Sequence, residues 1–99
     1  MAEIILKNVK HGYGIIGLMF RTKINGLYSF PLSSIDKTLH TYFCFCDMDA
    51  VCLSKYGRVL EIIKMKPWKY YLCDRDTITV IEGKSGAFDY MREGDLVSF

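Results

Sequence analysis

The strongest constraint on this chain lies in its middle, where two β-prone runs flank a glycine turn. Met48 to Ser54 and Arg58 to Met65 are rich in β-branched and apolar side chains, and Lys55-Tyr56-Gly57 separates them. Two such runs joined by a short glycine-containing loop read as a β-hairpin. The flanking sequence repeats the theme at close spacing. Glu3 to Val9 carries the pair Ile4-Ile5, and Leu27 to Phe30 is ended by Pro31. Leu39 to Cys46 is packed with aromatic residues and threonine, and Trp68 to Cys73 follows Pro67. Thr77 to Glu82 follows the polar turn Asp74-Arg75-Asp76, and Leu96 to Phe99 closes the chain. About seven short strands predict an all-β fold, either a compact β-sandwich or a partly open barrel. One or two short helical turns are expected, at Ile15 to Lys23 and at Ala87 to Met91.

Composition narrows the class. At 99 residues there is room for one domain, spanning 1–99. With 51% hydrophobic and 24% charged residues the chain is not a disordered tail. No apolar run approaches the ~18 residues of a membrane span. The opening Met1-Ala2-Glu3 puts an acid before a short apolar run and shows no cleavage pattern, so a cytoplasmic protein is expected. A net charge of +2 does not by itself argue for nucleic acid.

Several motifs invite a chemical reading. Cys44, Cys46, Cys52 and Cys73 lack tight paired spacing, so reduced, mostly buried thiols are expected, with no metal and no cofactor. Gly12-x-Gly14-x-x-Gly17 matches the dinucleotide fingerprint, but no later βα units follow to build the parallel sheet that the fingerprint serves; a glycine turn is expected. Gly83-Lys84-Ser85 lacks the earlier glycine of a phosphate loop, because Ile78 stands there, and reads as a turn with Ser85 capping a short helix. Asp47 and Asp49 would point the same way on a strand and offer two carboxylates to a cation; the simpler reading makes Asp47 a turn residue and pairs Asp49 with a basic side chain. Lys64 to Tyr71 interleaves basic and aromatic residues, as single-stranded nucleic-acid platforms do, and equally as a strand with one wet face does. His40 and Cys44, four apart on a regular strand, would be roughly 13 Å from each other, too far for proton transfer.

Taken together, these pieces resemble a known family. Gly17-Leu-Met-Phe-Arg21 resembles the GLMFR signature of domain of unknown function 192 (DUF192). Gly26 to Phe30, His40 to Asp49 with Val51 to Leu53, Tyr56 to Val59, Lys66-Pro67-Trp68, Val80 to Glu82 with Gly86, and Gly94-Asp95 resemble further family segments, in the family's order. The similarity covers about residues 14–99. The chain departs from the pattern at Asp47, where the family usually has proline, at Cys44, often methionine, and at Tyr56, where a turn aspartate is usual. The resemblance implies a small all-β domain and no established activity; without a signal segment, the chain resembles the short archaeal-type members.

The function expected from these observations is that of a small binding module. Arg21, Asp49, Trp68 and Glu82 match family positions and are costly to bury unpaired. They are expected to line one pocket, Arg21 holding an anionic group and Trp68 forming an apolar wall. The bland counterpart is an Arg21 ion pair with Asp49 or Glu82. The alternatives are a hydrolase-like enzyme using Asp49 and Glu82, or a Cys44–His40 pair, and single-stranded nucleic-acid binding through residues 64–71. The expected partner is an unknown small molecule or protein, with no membrane role.

Overall fold

The structure is a computed structural model that describes residues 2–11, 24–33 and 35–99. The described residues form nine strands: β1 (Glu3–Ile5), β2 (Val9–His11), β3 (Leu27–Pro31), β4 (Thr38–His40), β5 (Met48–Leu53), β6 (Val59–Met65), β7 (Tyr70–Leu72), β8 (Thr79–Lys84) and β9 (Leu96–Ser98). A five-stranded sheet in the order β2-β3-β8-β5-β6 is the frame, with two-stranded sheets β1-β9 and β4-β7 beside it. β2 runs parallel to β3 and β1 parallel to β9; the other pairings are antiparallel. The sheets are open and do not close into a barrel.

The hairpin expected at the centre is there. β5 pairs with β6 on one side and β8 on the other, and all six of its residues are buried. That explains its near-continuous apolar run: a strand covered on both faces has no wet side to alternate with. Alternation still decides which core each side chain enters. Met48, Ala50 and Cys52 face a core that includes Tyr28, Phe30, Leu39, Cys44, Met65, Cys73 and Val80. Val51 and Leu53 face the other core, with Leu6, Val59, Ile81, Phe88, Met91 and Val97. The β4-β7 pair and the chain around Cys44 therefore cover one face, and the β1-β9 pair and the segment after β8 cover the other.

Three expectations are corrected. No helix occurs among the described residues; Ala87 to Met91 is a succession of turns, with Ala87 N donating to Lys84 O, Asp89 N to Gly86 O and Met91 N to Phe88 O. The turns suffice because their purpose is to seat Phe88, which is fully buried. Leu39 to Cys46 is not one strand: β4 stops at His40, and Phe43 has φ 62°, which no strand accommodates. The Trp68 to Cys73 strand shortens to β7 because Trp68 itself has φ 63°. The Gly12-x-Gly14-x-x-Gly17 motif and the helical turn expected at Ile15 to Lys23 lie outside the described residues.

Candidate functional site

The register of the central sheet separates the two buried carboxylates. Ala50 pairs with Glu82, and Asp49 pairs with Gly83. Directly paired residues share a face and neighbours in sequence do not, so Asp49 and Glu82 project from opposite faces. The pocket expected to join them does not form around both, and neither does an Asp49–Glu82 acid–base pair. Arg21 lies outside the described residues.

Asp49 serves the segment after β8. Its Oδ2 accepts from Lys64 Nζ at 2.7 Å and from Gly86 N at 2.8 Å. Lys64, the cross-strand partner of Asp49, also reaches Asp89 Oδ1. The bond to Asp49, then that to Asp89, holds the Lys64 ammonium above its ordinary pKa. Gly83, opposite Asp49, is tightly packed: a Cβ there would meet Leu27 Cδ2 at 2.9 Å and Ala87 Cβ at 3.0 Å. Asp47 binds Lys66 Nζ at 2.8 Å. Each carboxylate of the Asp47-x-Asp49 pair is thus engaged by its own lysine.

Glu82 faces the other core, paired with Tyr28 on β3 and Ala50 on β5. Its residue is 7% exposed, and among the described residues its carboxylate makes no hydrogen bond or ion pair. Burial pushes its pKa up from 4.5 to about 7. Burial thus favours the protonated form of Glu82, which can donate as well as accept a hydrogen bond. Cys44 lies close enough to feel it: burial first, then the Glu82 charge, push that thiol up to about 11. A thiol raised so far is a poor nucleophile at neutral pH. His40 stacks on Tyr42 with ring centroids 5.6 Å apart. The chain turns after it, so the strand spacing assumed for His40 and Cys44 does not apply.

Above this face lies an aromatic group that sequence reasoning caught only in part. Trp68 is 49% exposed; its ring lies 4.9 Å from that of Phe43 and 5.9 Å from that of Phe45. Both Phe43 and Trp68 are in the left-handed region, which costs a bulky L-residue about 1–2 kcal/mol each. The buried Thr41 holds both turns. Its backbone carbonyl accepts from Cys44 N and Trp68 N, and its backbone N donates to Lys69 O at 2.7 Å. Its hydroxyl donates to Lys66 O at 2.5 Å and accepts from Lys69 N at 2.9 Å. One threonine thereby locks the backbone on either side of the rings. The signal available in sequence was the aromatic density around Thr41; that it marks paired turns depends on contacts between segments 25 or more residues apart.

Comparison with known proteins adds the family context. No protein-family model matches the chain. The chain is similar to archaeal UPF0127 proteins. It is 28% identical over 88 residues to one from Thermococcus gammatolerans, covering 84% of this chain and 58% of that protein. It is 30% identical over 73 residues to one from Pyrococcus horikoshii, covering 72% and 64%. One from Thermococcus kodakarensis is 28% identical over 88 residues, covering 84% and 56%. The chain thus spans between about half and two thirds of the length of these curated relatives. A crystal structure of a protein of unknown function from Novosphingobium aromaticivorans superposes with a TM-score of 0.74 at 19% identity, covering 87% of this chain and 70% of that one. That likeness shows the all-β fold. UPF0127 is an uncharacterised family, and the molecular function is unknown. No helix among the described residues is long and apolar enough to cross a membrane.

Proposed function

We propose that this chain is a DUF192-type domain acting as a binding module for a small molecule with an apolar or planar ring face. The ring lies on Trp68, Phe43 and Phe45, and Glu82 supplies a hydrogen bond from the same side of the sheet. Arg21 keeps the anion-holding role expected of it from its chemistry in the sequence. Asp49 is left out, because it serves the opposite face. One observation carries the reading: two bulky aromatic residues are held in left-handed backbone, ring to ring and half in water. Glycine would relieve that strain, so the strain supports a use for the exposed rings.

Two other readings fare worse on the same observations. Two of the three lysines of the nucleic-acid reading, Lys64 and Lys66, are engaged by Asp49, Asp89 and Asp47. The hydrolase reading needs two carboxyls on one side, and the register parts them.

Trp68 is the single tryptophan, so fluorescence reports on the platform directly. We would titrate the protein with monosaccharides, oligosaccharides, nucleosides and oligothymidylate. The expected result is a saturable change with a ring-bearing small molecule that Phe43→Ala abolishes and Glu82→Gln weakens. Saturable, salt-sensitive binding of oligothymidylate would move the assignment to nucleic acid. A flat response across the panel would count against the platform.

A further inference from the structure

At the other end of the face that carries Glu82, three ligand-type side chains meet from three segments. Cys52 sits on β5 at a register shift, Glu61 is its cross-strand partner on β6, and Cys73 follows β7 directly. Their sulfur and carboxylate oxygen atoms all lie within 4.8 Å of one another. A tetrahedral ion with bonds of about 2.3 Å to sulfur and about 2.0–2.2 Å to oxygen spaces its ligand atoms roughly 3.5–3.8 Å apart. A small contraction would bring the group to that spacing.

A second observation points to the same place. Thr77 is wholly buried, and the Cys52 sulfur beside it is the one partner within reach of its Oγ1 among the described residues. A neutral thiol is a weak acceptor, and a thiolate would satisfy the hydroxyl better. The surroundings are already fixed. Asp74 N donates to Glu61 Oε1 at 2.8 Å, and Cys73 N donates to Lys37 O at 2.9 Å. Lys37 Nζ donates to Thr77 O, which brings a positive charge toward Cys73. Fixed outer partners of this kind orient metal ligands.

We propose that Cys52, Cys73 and Glu61 form a Zn2+ site, with the Thr77 hydroxyl donating to the Cys52 thiolate and a water completing the tetrahedron. Two sulfurs exclude Mg2+ and Ca2+, which require oxygen cages, and the carboxylate favours borderline Zn2+ over a purely thiophilic ion. Binding is a proton exchange: two S–H bonds break, two Zn–S bonds form, and two protons leave to solvent. The half-buried Glu61 gives the ion a way in. All four cysteines are free of disulfides, as the sequence leads one to expect. The proposal departs from the sequence expectation of no metal.

The test is titration of the reduced full chain with Co2+ and Zn2+. Wild type is expected to bind one equivalent, with a thiolate-to-cobalt charge-transfer band and tetrahedral visible bands. Zn2+ should displace the cobalt, and affinity should rise with pH. Cys73→Ser should weaken binding by about 100-fold or more, and Thr77→Val by about 10-fold. Cys44→Ser and Cys46→Ser should leave it unchanged. Circular dichroism checks folding, and Glu61→Gln, on a partly exposed side chain, tests the site if a cysteine variant does not fold. Absence of the charge-transfer band in reduced wild type would overturn the site. So would binding that survives both Cys73→Ser and Glu61→Gln. Formation of a Cys52–Cys73 disulfide in air, with no metal uptake by the reduced chain, would also overturn it.

Discussion

Asp49 and Glu82 occupy neighbouring strands of one sheet, one residue out of register, and meet opposite circumstances. Asp49 receives an ammonium and a backbone N–H, and in return it fixes the turns that carry Phe88 into the core. Glu82 is buried among Tyr28, Ala50 and Cys44 with no such donors among the described residues, and its acidity falls accordingly. The contrast teaches that burial alone does not sort structural from functional carboxylates. A carboxylate whose donors are built into the fold stabilises it. One left without them costs stability at neutral pH, and the ligand proposed above would account for that cost.

The largest expected effect falls on Glu82. Its folded pKa lies above its unfolded value, so its contribution is fully present below about pH 4.5 and is lost as pH rises through 7. Wild type should lose on the order of 3 kcal/mol from this group between pH 4.5 and 8. Glu82→Gln should flatten that slope and be the more stable protein at pH 8. Urea unfolding at both pH values measures it, and a slope unchanged in the variant would break the contrast.

Asp49→Ala should do the reverse. It strips Gly86 N of its acceptor and Lys64 of its partner, and should cost about 2 kcal/mol. Hydrogen exchange should locate the loss in residues 84–91. A stability as high as wild type would mean that Asp49 is not the tie we describe.

The smallest effect belongs to the platform. Phe43→Gly releases about 1–2 kcal/mol of backbone strain and forfeits about 0.5–1.5 kcal/mol of ring contact with Trp68. Stability should stay within about 1 kcal/mol of wild type, while ligand binding is lost. A large destabilisation would make the rings structural after all.

Much of the fold was legible because the β5-β6 hairpin is specified locally, by two runs and a glycine turn. The break after β4 was not, since Thr41 and the aromatic residues after it favour strands by propensity, and it is hydrogen bonds from Thr41 to residues 66–69 that bend the chain. The site was legible only as a set of residues. Whether Asp49 and Glu82 face each other depends on a one-residue step, which β5 conceals because it is apolar on both faces. Cys52, Glu61 and Cys73 carry no spacing signature, because strand pairing brings them together from three separate segments.

The pairing of β1 with β9 has a consequence for how the molecule assembles. Glu3 lies opposite Leu96, and Ala2 N donates to Asp95 Oδ1 across nearly the whole chain. Closing so long a loop before the central sheet exists would spend chain entropy with little return. The hairpin at Met48 to Met65 can form early from local contacts, and the β1-β9 ribbon must wait for it, because Gly57 in the hairpin loop accepts from Val97 N. Folding is then expected in milliseconds to seconds, with the ribbon's amides the last to gain protection and the first to lose it.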